Sequence, residues 1–284
     1  MKNNILLIAS IILLVLIASC KKDNNVTPAR TGIHLDSNAQ IGTHIVDKDG
    51  RSLYFFSDDA NGASNCTGGC LGIWQPYLTD SPMVVGSGLQ ASDFGTITIP
   101  SNAKQTTYKG WPLYLYEPSG VKEQPGETKG EGFNSIWFVA KTNYSIMIAH
   151  NQLEGGDGTH YLSTYAPGEA KTAYFSDATG HTLYTFANDS NLINKFTKPD
   201  FSNNTLFPIY EMPNIIVPTT LDKTLFAVID FNGKKQLTYN GWPLYYFGSD
   251  NGERGSTKGI SFPATKPVGS IWPVAVKDKT AAPK

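Results

Sequence analysis

Apolar and polar positions in this chain alternate over short runs. Thr96-Ile97-Thr98-Ile99 alternates strictly, and Trp272-Pro273-Val274-Ala275-Val276 is a short apolar run. Both patterns predict strands of a few residues, and no long helical periodicity competes with them. Turn signals separate the runs. Asp49-Gly50, Lys109-Gly110, Thr179-Gly180 and Asn240-Gly241 each precede a Leu-Tyr-x-aromatic segment. Glycine tolerates the positive φ of a tight turn, so each segment predicts a hairpin. Within each, the Tyr and the aromatic two residues later share one strand face, because the side-chain period is two.

These segments repeat. Residues 105–116 read QTTYKGWPLYLY and residues 236–247 read QLTYNGWPLYYF. Tyr108 and Tyr239 lie 131 apart (239 − 108), and Trp111/Trp242, Pro112/Pro243 and Tyr114/Tyr245 keep that offset. Tyr54, Tyr114, Tyr184 and Tyr245 then mark four units at intervals of 60, 70 and 61 (114 − 54, 184 − 114, 245 − 184). Trp74, Trp137 and Trp272 close three units, and Leu206-Phe207-Pro208 fills that place in the third. A large ring at the same place in each unit predicts a stacked core. The expected fold is all-β: a tandem repeat of four hairpin-plus-strand units in two halves. A propeller-like or closed barrel-like arrangement leaves few open edges; two packed β-domains are the alternative. The halves are expected at residues 40–141 and 142–278, with a tail at 279–284. No Gly/Ser-rich or Pro-rich linker separates them.

The first residues differ from the rest. Lys2 precedes a run over residues 5–18 that is apolar apart from Ser10. A charged start, a short apolar stretch and small residues predict a signal peptide over residues 1–19. Leu16-Ile17-Ala18-Ser19-Cys20 resembles a bacterial lipobox, which implies cleavage before Cys20 and its lipidation. Acyl chains contribute about 0.8 kcal/mol per buried CH₂, enough for a multiply acylated cysteine to anchor stably. Residues 20–39 then read as the lipidated cysteine and a polar tether, and Lys21-Lys22-Asp23 resembles the export tag of surface lipoproteins. The expected location is the bacterial cell envelope, at the outer membrane, on its periplasmic or cell-surface face.

Composition narrows the partners. Formal net charge is −1 and there is no long basic run, so a nucleic-acid partner is not expected. With 27 Gly and 17 Pro, the chain suits many short strands and tight turns.

Of three cysteines, Cys20 goes to the lipid and Cys66 and Cys70 remain. An even pair in an exported protein is most simply a disulfide. Two alternatives stay open: a soft-metal site in which His44 or His34 joins the two thiolates, and a redox pair. Asp47-Lys48-Asp49-Gly50 lacks the later ligands of a calcium loop. Asp58, Asp59 and Asp189 follow strands and are expected to accept backbone amides at turns. His181 sits in a turn and is expected to face solvent. Trp111 and Trp242 stand immediately after turn glycines. With Tyr114 and Tyr245 they are the candidate ligand-binding residues, as platforms for sugars or other flat ligands. No His-Glu-x-x-His, Gly-x-Ser-x-Gly or phosphate-loop pattern occurs, so neither an enzyme nor a cofactor is expected.

Together these residues resemble the secreted-repeat bacterial lipoproteins that carry a Tyr-x-(Phe/Trp/Tyr)-x-x-Asp motif. Residues 54–59 and 184–189 match it. Cys66-Thr67-Gly68-Gly69-Cys70 with Trp74-Gln75-Pro76, and Thr-Tyr-x-Gly-x-Pro-Leu-Tyr twice, match further elements. The resemblance implies an exported all-β repeat protein and no particular chemistry. The third unit departs from the pattern, since residues 191–204 lack cysteines. The expected function is non-enzymatic: a lipid-anchored envelope protein that binds or scaffolds a glycan or an envelope protein. A metal or redox protein using Cys66 and Cys70 is the alternative.

Overall fold

The structure, a computed structural model, describes residues 32–78 and 83–284. Cys20, the signal peptide and most of the expected tether lie outside the described residues. Those described form five small antiparallel sheets joined by loops and 3-10 turns, with no α-helix. No helix among them is long and apolar enough to cross a membrane.

The all-β expectation holds. Among the described residues no ladder closes into a barrel and no propeller is seen, so the closed arrangement is not confirmed. The largest sheet orders Trp74–Pro76, Tyr114–Tyr116, Tyr54–Phe56 and Trp137–Val139, each of three residues. Such strands order side chains locally, and packing between sheets supplies the rest.

The two halves repeat this plan. In the first, Tyr54 pairs with Tyr114 and Val139, and Tyr114 pairs with Pro76. In the second, Tyr184 pairs with Tyr245 and Val274, and Tyr245 pairs with Ile209. The second set consists of single bridges, so the same register survives with less ladder. Flanking hairpins repeat too. Phe94–Thr98 pairs with Lys104–Tyr108 so that Phe94 faces Tyr108. Phe226–Phe231 pairs with Lys234–Tyr239 so that Phe226 faces Tyr239. Each hairpin continues through a turn into Trp111–Pro112 or Trp242–Pro243. Both turns have two positive φ values, 48° and 78° at Lys109-Gly110 and 47° and 84° at Asn240-Gly241. That geometry matches the right-handed twist of the paired strands.

Aromatic stacks fill each half. The Trp137 ring lies between Trp74 at 3.8 Å and Phe56 at 4.1 Å. Trp272 stacks on Phe207 at 3.5 Å and packs on Phe186 at 4.6 Å. Phe207 therefore does the work of Trp74, as its sequence position predicts. Aromatic contacts of this kind add about 0.5–1.5 kcal/mol each beyond burial. The halves also share core. Phe138 packs in one cluster with Ile146, Phe175 and Tyr239, and Trp111 belongs to another with Ala149 and Tyr184.

Candidate functional site

Four buried tyrosines pair with four carboxyl groups in an arrangement present twice, once in each half. Tyr54 donates its hydroxyl to Glu123 at 2.8 Å and accepts the Gly130 amide at 3.3 Å. Tyr184 donates to Asp250 at 2.7 Å and accepts the Gly259 amide at 3.3 Å. Tyr114 donates to Asp59 at 2.6 Å, whose other oxygen accepts the Asn65 amide at 2.7 Å. Tyr245 donates to Asp189 at 2.8 Å, whose other oxygen accepts the Lys195 amide at 2.7 Å. Burial pushes the carboxyls of Asp59 and Glu123 up to about 7 and those of Asp189 and Asp250 up to about 6. It raises the four tyrosine hydroxyls as well. Desolvation disfavours the charged form, and the tyrosine and amide hydrogen bonds offset part of that cost.

The expectation for Asp59 and Asp189 holds, since each accepts a backbone amide. Asp58 does something else. It pairs with His150 at 2.6 Å and with Lys171, tying the first half to the second. Burial works against its charge, but these two partners hold its carboxyl below the usual range.

The four aromatic candidates do not form a platform. Trp111, Tyr114 and Tyr245 are fully buried and Trp242 is 8% exposed. The Trp111 indole donates to the Ala178 carbonyl at 3.1 Å, and that of Trp242 to the Thr280 carbonyl at 2.8 Å. A hairpin tip is exposed only if nothing lands on it, and here chain lands on both. The tyrosine faces are enclosed in core and their hydroxyls are taken by Asp59 and Asp189.

Cys66 and Cys70 are joined as a disulfide. Their sulfurs are therefore bonded to each other, which removes the thiolate pair that the metal alternative needs. His44 is buried elsewhere, its ring bonded to the Gly42 carbonyl at 3.0 Å and the Ser52 hydroxyl at 3.1 Å. Among the described residues no three His, Cys, Asp or Glu side chains are grouped to hold a metal. Cys66 packs with Trp74, Tyr114 and Trp137. The residue 130 positions later (196 − 66) is Phe196, which packs on Trp272 at 4.8 Å and Phe207 at 5.7 Å. A ring thus fills in one half the place the disulfide holds in the other.

The halves also differ at a concave, polar surface. A groove of about 590 Å³ on the first half is lined by Asp47, Arg51, Gln75, Tyr77, Glu117 and Lys122, among others. Arg51 bridges it, bonded to Asp47 at 2.8 Å and Glu117 at 2.8 Å. The equivalent cavity of the second half, about 380 Å³, includes His181, Pro208, Tyr246, Phe247, Asp250 and Glu253. His181 takes the place of Arg51 (181 − 51 = 130) and Tyr246 that of Leu115 (246 − 115 = 131). Asp177 accepts from His181 at 3.2 Å and Tyr246 at 2.9 Å. The hydrogen bond to Asp177 raises the His181 pKa. Burial works against the Asp177 charge, yet His181 and the turn amide hold it below the ordinary range. His181 is thus partly exposed, facing the cavity, and is paired with Asp177. One groove carries a fixed cation and the other a titratable one. Sequence motifs missed both; superposing the halves at an offset of 130 would have exposed the Arg51/His181 difference.

Duplicated hairpins, twin tyrosine–carboxyl networks and paired grooves define an all-β protein built by internal repetition. Comparison with known families gives that class a name. The model of a secreted repeat of unknown function matches residues 37–77, 95–141 and 227–275, and the chain belongs to that family. The unmatched stretch between the second and third regions holds the unit in which Phe196 and Phe207 replace cysteine and tryptophan. No curated protein and no solved structure matches the chain.

Proposed function

We propose that this secreted-repeat protein is anchored at the bacterial outer membrane through lipidated Cys20 and acts without catalysis. Its role is to bind or scaffold an envelope glycan or envelope protein through the paired grooves. One observation carries the reading. The buried network repeats between the halves, whereas the groove side chains around the shared aspartate (Asp47 and Asp177) change, from Arg51 and Leu115 to His181 and Tyr246. Repeated side chains build the scaffold; those that vary on a common concave frame are where selectivity resides. Eleven residues separate Cys20 from Gly32 (32 − 20 − 1). Even fully extended they reach about 40 Å, so the repeat body works close to its anchor.

The test is a glycan array and an envelope-protein capture with the wild type, Arg51→Ala and His181→Ala. Binding that one or both substitutions weaken supports the reading. Equal binding by all three, or none by the wild type, refutes it. Palmitate labelling tests the anchor, which Cys20→Ala is expected to abolish.

A further inference from the structure

The two hairpin tips are chemically alike, yet different parts of the chain cover them. On the Trp111 tip, the Ala178 carbonyl accepts the indole N–H at 3.1 Å. The Arg254 guanidinium lies 4.8 Å from the indole centroid and donates to the Lys109 carbonyl at 2.8 Å. Both caps come from the second half. On the Trp242 tip, the Thr280 carbonyl accepts the indole N–H at 2.8 Å. The Lys279 ammonium lies 4.7 Å from the ring, and the Ala282 amide donates to the Asn240 carbonyl at 3.0 Å. Ala282 is buried over Gly241, and the Pro283 carbonyl accepts the Asn191 amide at 2.7 Å. Indole N–H, indole face and turn carbonyl thus meet the same three kinds of partner at both tips. One set comes from the following repeat half, the other from residues 279–283.

We propose that the Trp242 tip is an interface between repeat halves, that residues 279–283 are its built-in plug, and that its alternative occupant is a second copy of this chain, through the turn at residues 47–50. That turn is the first-half counterpart of the turn that receives Trp111, with Lys48 in the place of Ala178 (178 − 48 = 130). Its outer face is open: the Lys48 and Asp49 side chains are 61% and 53% exposed. The contact would join the second half of one copy to the first half of the next. Such an interface is heterologous and does not close on itself, so it builds chains rather than dimers. Pro125 stands where the second half has Arg254 (254 − 125 = 129), so the incoming copy brings no equivalent cation to the indole. The plug also acts at an effective concentration of about millimolar, so it outcompetes micromolar copies roughly a thousandfold. Intact protein is therefore a monomer, and releasing the plug licenses assembly.

Ala282→Arg in the full chain is designed to pry the plug off Gly241. Sedimentation velocity reads assembly, and tryptophan emission reads Trp242, because the other four tryptophans are at most 2% exposed. The expected result in Ala282→Arg is a red-shifted emission at low concentration and a mass that rises with concentration. The wild type stays monomeric, and adding Asp49→Trp to Ala282→Arg restores the monomer. A red-shifted variant that stays monomeric at all concentrations overturns the proposal, as does assembly that survives Asp49→Trp. Should Ala282→Arg fail to fold or leave the emission unchanged, a protease site inserted between Asp278 and Lys279 of the full chain, cut after folding, gives the same readouts. There, a cleaved protein without assembly overturns the proposal.

Discussion

Replacing Tyr114 by Phe removes one oxygen and keeps the ring that fills the core. Asp59, fully buried, then loses the hydroxyl it accepts at 2.6 Å and keeps only the Asn65 amide. The cost depends on whether Asp59 is charged. Burial places its titration at about 7, far above the roughly 3.9 of an unfolded aspartate. The folded state therefore binds this proton more tightly than the unfolded state does. Stability from this group rises as pH falls through 7 and levels off below about 4. At pH 8 Asp59 is ionised, and losing a hydrogen bond to a buried charge costs about 1.5–3 kcal/mol. At pH 5 the carboxyl is neutral and the loss is about 1 kcal/mol. Tyr114→Phe should therefore cost about 1–2 kcal/mol more at pH 8 than at pH 5, which raises the Asp59 pKa by about one unit. Urea unfolding of wild type and variant at both pH values measures this, and groups untouched by the substitution cancel in the difference. Tyr245→Phe should repeat the pattern through Asp189. An equal cost at both pH values, or a larger one at pH 5, would show that Asp59 does not titrate in this range and would refute the reasoning.

Asp59, Glu123, Asp189 and Asp250 are all raised by burial, and His181 is raised by Asp177, so the wild type itself should unfold at lower urea at pH 8 than at pH 5.5. Phe207→Ala removes the ring stacked on Trp272 and should cost about 3–5 kcal/mol by chemical denaturation. Cys66→Ala/Cys70→Ala should cost only about 2 kcal/mol, since the closed loop is short. Arg254→Met removes the donor that links the Lys109 and Thr179 carbonyls and should lower stability by about 2–3 kcal/mol, seen as a lower Tm.

The fold class, the repeat and the substitution of Phe207 for a tryptophan were legible because they are written in local patterns: turn dipeptides, a two-residue aromatic period, a fixed offset. The arrangement of the sheets was not, since it depends on strand length and sheet edges that the hairpin signals leave open. The carboxyl partners were half legible. The Asp59–Asn65 turn bond is local, but Tyr54 finds Glu123 sixty-nine residues away, and nothing near either residue announces it. The tips misled for a related reason. A glycine turn fixes the conformation of Trp111 and Trp242 but says nothing about what packs on them, and Ala178 and Thr280 come from other parts of the chain. The grooves were invisible to motif reading, because Arg51 and His181 belong to no motif. They differ only when one half is laid on the other.

The exchange of the Cys66–Cys70 bridge for Phe196 makes the two halves answer to different environments. The second half closes its loop by transferring an aromatic ring out of water, which proceeds in any compartment. The first half closes the matching loop by a covalent step that needs an oxidising one. Oxidation is therefore required on one side only, and a reductant added to the folded protein should loosen residues around Cys66 and leave those around Phe196 untouched.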